Sequence, residues 1–204
     1  MRKERKEAAK RLYEIAERQQ GFFTTKQAKS SGFAENTHPY HVQVGNWMRE
    51  HRGIYRLSSF PQGERPDLML WSLWSRNRVE AAQGVYSHQT ALSLYDLSDV
   101  MPAKLHMTVP RSFRRNSEIP RVLVLQFADV PESDIGVVHG VRVTNPMRTI
   151  LDLLEGGEVP PATLRQALRE GVRRGLIRRS EIAAARKHLA DSKQLRTLFQ
   201  KVAA

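Results

Sequence analysis

Gly21-Phe22-Phe23-Thr24-Thr25-Lys26-Gln27-Ala28-Lys29-Ser30-Ser31-Gly32, then Thr37-His38-Pro39-Tyr40-His41-Val42-Gln43-Val44-Gly45, then Trp47-Met48-Arg49-Glu50-His51-Arg52-Gly53-Ile54-Tyr55-Arg56-Leu57 is the stretch whose reading decides the fold. Its first five residues are extended and apolar, and Thr24 or Thr25 can cap a helix over Lys26 to Ser31 that Gly32 closes. Pro39, whose fixed φ suits a first helical position, predicts a second short helix capped by Thr37 or His38 and stopped at Gly45. From Trp47 the period changes, and two short strands about Arg52-Gly53 read as a hairpin tipped with cations. Two short helices followed by such a hairpin predict a winged helix-turn-helix, with the hairpin as the wing.

Upstream, Arg2 to Gln20 predicts an amphipathic helix with Ala8, Leu12, Ile15 and Ala16 on one stripe; its Glu7/Arg11 and Glu14/Arg18 pairs compensate much of its charge. Downstream, Ser58 to Pro66 reads as a linker, so the winged domain is expected over residues 1–62 and a second, α+β domain over 63–204. In the latter, Asp67 to Asn77 predicts a core helix bearing Trp71 and Trp74. A strand is expected over Gln83 to Tyr86, then a helix from His88 to Leu94 capped by Ser87. Lys104 to Pro110 and Ile119 to Phe127 read as strands on either side of a basic loop, Arg111 to Asn116. A hairpin turning at His139-Gly140 spans Val137 to Val143, and Asn145-Pro146 opens a helix with Ile150, Leu151 and Leu154 inward and Arg148 paired to Asp152. Pro160-Pro161 starts a long helix with Leu164, Ala167, Leu168 and Val172 inward and Arg165, Arg169, Arg173 and Arg174 outward. Ser180 is the expected cap of a last segment over Glu181 to Leu189.

Composition sets the class of partner. Of 204 residues, 33 are Lys or Arg and 21 are Asp or Glu, a formal charge of +12 that points to a polyanion. The excess sits at the ends: residues 1–60 hold 12 basic and 6 acidic side chains, 61–147 hold 9 and 9, and 148–204 hold 12 and 6. The absence of cysteine excludes disulfides, thiol catalysis and zinc ribbons, and fits a reducing cytoplasm. No apolar run approaches the roughly 18 residues of a membrane span, so a soluble cytoplasmic, nucleoid-associated protein is expected.

Glycine-rich phosphate loops, H-E-x-x-H and C-x-x-C are missing, and the seven histidines are scattered, so neither a metal nor a cofactor is expected. Ser87, His88, Asp96 and Asp99 could suggest a hydrolase triad. No G-x-S-x-G elbow surrounds Ser87, however, and side chains adjacent at a helix start are not expected to face each other. No catalytic residue and no enzymatic activity are therefore expected. The residues expected to meet DNA are Lys26, Lys29, Arg49 and Arg52 as phosphate anchors, and His38, Tyr40, His41 and Gln43 at base edges.

Three stretches together resemble the AbiEi family of prokaryotic antitoxin regulators of type IV toxin-antitoxin systems. They are G-F-F-T-T-K-Q-A (Gly21 to Ala28) with R-G-I-Y-R-L (Arg52 to Leu57), V-Y-S-H-Q-T-A-L (Val85 to Leu92), and R-V-T-N-P-M-R-T-I-L-D-L (Arg142 to Leu153). The resemblance covers roughly residues 10–190. It implies an N-terminal winged domain that binds double-stranded operator DNA and represses its own operon. It also implies a C-terminal mixed α/β domain ending in helices that counters a nucleotidyltransferase toxin of the AbiEii type. The rival reading is a protein-binding antitoxin or adaptor without sequence-specific DNA binding, and a third is a nuclease accessory subunit.

Overall fold

The computed structural model describes residues 2–188. The expected end of the last helix at Leu189 and the tail to Ala204 lie outside them. The chain divides into two compact units, Met1–Gln83 with His139–Val141, and Gly84–Val138 with Arg142–Ala204.

The first unit begins with α1 (Arg2–Glu17), whose Ala8, Leu12 and Ala16 are buried as the stripe predicts. The strand β1 (Phe22–Thr24) then runs straight into α2 (Thr25–Ser31). Thr24 builds a full capping box: its hydroxyl accepts from Gln27 N at 3.1 Å, and Gln27 Oε1 accepts from Thr24 N at 2.9 Å. Gly32 closes α2 in the left-handed region, φ 106°, a conformation cheap only for glycine. Arg11 reaches from α1 to the end of α2 and donates to Ser31 O at 2.8 Å, satisfying a free helix-end carbonyl.

A 3₁₀ turn over Glu35–Thr37 leads into α3 (His38–Gln43). Thr37 holds the cap position but its hydroxyl donates back to Ala34 O, so neither Thr37 nor His38 supplies a side-chain cap. The wing follows as β2 (Trp47–His51) and β3 (Ile54–Leu57). β3 lies between β1 and β2, antiparallel to both, and a bulge between Arg49 and His51 adds twist towards the wing tip.

Strand alternation gives this sheet two apolar faces. Phe23, Trp47, Tyr55 and Leu57 face the three helices and pack with Leu12, Ala16 and Ala28. Phe22 and Ile54 point the other way and are equally buried. They need a cover, and α4 (Pro66–Trp74) supplies it by packing on β1 and β3 through a helix whose Leu68, Met69, Leu73 and Trp74 are buried. The compact unit therefore runs to Gln83, and the tryptophan helix assigned from sequence to the second domain belongs to the first.

The second unit holds a five-stranded mixed sheet in the order β6-β5-β4-β8-β7. Its strands are β4 (Val85–Tyr86), β5 (Leu105–Val109), β6 (Leu123–Phe127), β7 (Ile135–Val138) and β8 (Val141–Thr144). The strand expected from Ile119 starts only at Leu123. β7 and β8 join at His139-Gly140, both at positive φ (48° and 72°), as a tight primed turn requires. α5 (His88–Leu94) packs on α6 (Pro146–Gly156), and α6 on α7 (Pro161–Arg173). Asn145 caps α6 by accepting from Arg148 N at 2.8 Å, and Gly157 ends it in the left-handed region. The inward face of α6 is Met147, Ile150 and Leu153, with Leu151 and Leu154 only partly buried. Together with Leu92, Leu97, Leu164 and Leu168 these residues form the unit's core. The last helix, α8 (Arg179–His188), starts before Ser180; its first turn is closed by Glu181, whose carboxylate accepts from Arg178 N at 2.7 Å, so Ser180 is not its cap.

Ser87 precedes α5 but makes no capping bond. His88 sits at φ 52°, and this left-handed turn brings its Nδ1 to 3.0 Å from Ser87 Oγ, so the two adjacent side chains do face each other. Thr108 donates to the same oxygen at 2.8 Å, and Ser87 is fully buried. The serine is a polar tie between α5 and β5, enclosed in the sheet.

Candidate nucleic-acid interface

The surface of α2, α3 and the wing carries seven of the eight residues picked from sequence, six of them exposed and His41 partly so. Tyr40 is 60% exposed, and Gln43 is exposed one turn later on the same side of α3. Arg49 is exposed on β2, and Arg52 is exposed at the turn between the two wing strands. Lys26 stands in the first turn of α2; its ammonium donates to Arg78 O at 2.9 Å and lies 4.0 Å from Glu80. Lys29 pairs with Glu35 at 3.2 Å, both exposed. Such a surface pair is worth about 0–1 kcal/mol, so the lysine is readily released to another anion.

His38 is the exception and corrects the sequence reading. It is 2% exposed, wedged between Trp47 (5.2 Å between ring centres) and Tyr55 (5.8 Å), and has no edge to offer a base. Its Nε2 lacks a hydrogen-bond partner among the described residues. A six-residue helix at the edge of an aromatic cluster turns its first residue inward because the wing strands, not the helix itself, provide the apolar wall.

His41 is intermediate. Its ring stacks on Trp47 at 4.5 Å and 19°, meets Phe33 edge-on at 5.1 Å, and faces Asn46 through Nδ1 at 3.3 Å. Partial burial, helped by His38 and Arg5, pushes its pKa below the ordinary histidine value. It is a neutral ring near pH 7, able to offer a hydrogen bond but no charge. The six residues of α3 include no Lys or Arg, so positive charge at this surface comes from its flanks.

The aromatic cluster makes the surface rigid. Phe23 packs edge-on to Trp47 at 4.9 Å and stacked with Tyr55 at 5.8 Å, fixing β1, β2 and β3 together under α3. On β3, Arg56 is nearly buried and bonded to Glu50 at 2.7 Å, so this cation is structural and unavailable to a ligand.

One tie escaped sequence reading. Gly53 O, at the wing tip, accepts from Thr25 N at 3.1 Å and from Arg76 Nη2 at 3.3 Å. Arg76 also binds Leu73 O at 2.8 Å and pairs with Glu80 at 3.2 Å, while Glu80 accepts from the Thr24 hydroxyl. The start of α2, the wing tip and the loop after α4 are thereby one connected network. Gly53 and Arg76 are too far apart in the chain for any local pattern to signal it.

Among the described residues no cluster of three or more His, Asp or Glu could hold a metal, and no helix is long and apolar enough to cross a membrane. No curated protein matches the chain. Among solved structures, the crystal structure of the RV2827C protein from Mycobacterium tuberculosis aligns with a TM-score of 0.49 and 13% identity, covering 79% of this chain and 71% of that one. That likeness is too distant to carry an argument. The family model described as "Transcriptional regulator, AbiEi antitoxin" matches residues 10–58, which run from within α1 to the end of the wing. The segment that this family of antitoxin transcriptional regulators matches is thus the winged helix-turn-helix of this chain.

Proposed function

We propose that the chain is a sequence-specific DNA-binding repressor that autoregulates its own operon in the cytoplasm, and that its second unit counters a nucleotidyltransferase toxin of the AbiEii type. The observation that carries the DNA-binding part is the pairing, on one rigid aromatic base, of a short helix exposing Tyr40 and Gln43 with a wing exposing Arg49 and Arg52. A helix fits the major groove, where glutamine can bond adenine through two contacts, and cations beside it meet phosphate. In this reading Gln43 and Tyr40 read base edges with His41 at their margin, Lys26, Lys29, Arg49 and Arg52 anchor the backbone, and His38 holds α3 from beneath.

A protein-binding antitoxin or adaptor is the second reading, favoured by one observation, the lack of cations on α3 itself. Binding of the full chain to the DNA upstream of its own gene and to a scrambled duplex, at one fixed salt, separates the two. Gln43→Ala should cost the upstream DNA about 1–3 kcal/mol while leaving the scrambled duplex nearly unchanged. Arg52→Ala should weaken both alike. Equal losses on both duplexes for Gln43→Ala would remove it from the reading surface, and no binding at low salt would favour the adaptor.

A further inference from the structure

We propose that the loop from Arg76 to Ala82 is a second wing, and that the Arg78 guanidinium at its tip binds the phosphate backbone of duplex DNA beside Lys26. The proposal rests on the DNA-binding reading above and adds a contact outside the segment that matches the regulator family, residues 10–58.

The loop is built as a rigid turn. Arg76 and Ala82 form an antiparallel bridge, Asn77 N donates to Ala81 O at 2.9 Å, and Asn77 Oδ1 accepts from both Val79 N (2.9 Å) and Ala81 N (3.1 Å). Glu80 closes it at φ 66°, a left-handed conformation that a non-glycine residue holds only when its surroundings impose it. The imposed feature is the direction of the Glu80 side chain. It turns inward to accept from Thr24 Oγ1 and to pair with Arg76 Nε at 3.2 Å, which neutralises the one carboxylate of the loop. The tip that remains outward is Arg78 and Val79, the latter 80% exposed. The Arg78 side chain has no hydrogen-bond or ion-pair partner among the described residues, while its carbonyl accepts from Lys26 Nζ at 2.9 Å. Arg76 joins the same loop to Gly53 O, next to Arg52.

Lys26, Arg52 and Arg78 therefore come from three separate elements that a partly buried acid-base network ties together. A loop needed only to finish α4 would have no reason to lock its acid inward and leave its cation free. Cations on three neighbouring elements can each meet a phosphate of a duplex, and an arginine fork binds phosphate through two bonds.

The test is the salt dependence of DNA affinity for the full chain and its Arg78→Ala and Arg78→Lys variants, on upstream and scrambled duplexes. One lost phosphate contact lowers the log-log slope by about 0.9, so over a fourfold rise in salt wild type should lose about 3.5-fold more affinity than Arg78→Ala. The loss should be equal on both duplexes, Arg78→Lys should restore the slope, and the thermal midpoint should not move. Wild-type binding with an unchanged slope in Arg78→Ala overturns this proposal alone. Absence of wild-type DNA binding overturns it together with the reading on which it rests.

Discussion

Replacing Thr24 by valine removes one oxygen and changes almost no volume, yet that oxygen joins three elements. The side chain is fully buried, its hydroxyl accepts from Gln27 N at the start of α2, and it donates to Glu80 in the loop after α4. Loss of the cap costs about 1 kcal/mol. Loss of a hydrogen bond to a charged group costs about 1.5–3 kcal/mol, and the lower end applies because Glu80 keeps Arg76 at 3.2 Å and is still partly exposed. The other half of the capping box, Thr24 N to Gln27 Oε1, needs no hydroxyl and survives. The expected destabilisation of the first unit is therefore about 2–3 kcal/mol. At roughly 4–8 °C per kcal/mol for a unit of this size, the midpoint should fall by about 10–20 °C. All three tryptophans, Trp47, Trp71 and Trp74, lie in this unit, so urea unfolding followed by tryptophan fluorescence reports on it selectively. Thr24→Ser, which keeps the hydroxyl, should retain most of the stability. A Thr24→Val variant within about 0.5 kcal/mol of wild type would refute the idea that this network holds α2 to the wing.

Two further outcomes follow from the buried ionisable groups. Arg148 binds Asp152 at 2.7 Å and Asp134 at 3.2 Å, so Arg148→Ala, which strands the mostly buried Asp152, should cost about 2–4 kcal/mol by urea unfolding followed by circular dichroism. Asp152→Asn should cost less, since burial already pushes that carboxyl above its ordinary pKa; the reverse ranking would contradict the argument. His41 has a folded pKa below its unfolded value, so the unfolded chain takes up the proton first. Its contribution to stability is complete above about pH 6.5 and is lost as pH falls towards the lowered folded value. His41→Gln should flatten the fall of the urea midpoint as pH drops below about 6.5, and His106, lowered by its own burial, should keep part of the slope. A profile identical to wild type would show that His41 is not the desolvated ring described here.

Much of the first unit is written in short-range code. Thr24 with Gln27, Gly32, Pro39, Gly45 and Arg52-Gly53 each act within four residues, through caps, fixed φ and left-handed glycines, and such signals are complete in the sequence. The same holds for Asn145-Pro146 at the start of α6 and for the His139-Gly140 turn between β7 and β8. They were enough to establish the order of helices and wing, and hence the class of surface that this domain presents.

What the sequence could not contain is the identity of the wall against which each short element rests. His38 and Gln43 both lie on a six-residue helix with too few turns to define an apolar stripe, and only the placement of Trp47 and Tyr55 made one of them core and left the other on the surface. α4 reads as a generic tryptophan-bearing core helix; that it belongs to the first unit follows from the second apolar face of the β1-β3-β2 sheet, which Phe22 and Ile54 create and only packing reveals. Ser87 carries a valid capping signal, but the left-handed backbone of His88 and the approach of Thr108 from β5 diverted its hydroxyl. The Arg76-Glu80-Thr24 network spans more than fifty residues of chain, and no local rule reaches that far. Caps and turns are local free energies and were decided by the sequence alone, whereas burial is a property of neighbours brought together by the fold and was decided by the tertiary structure.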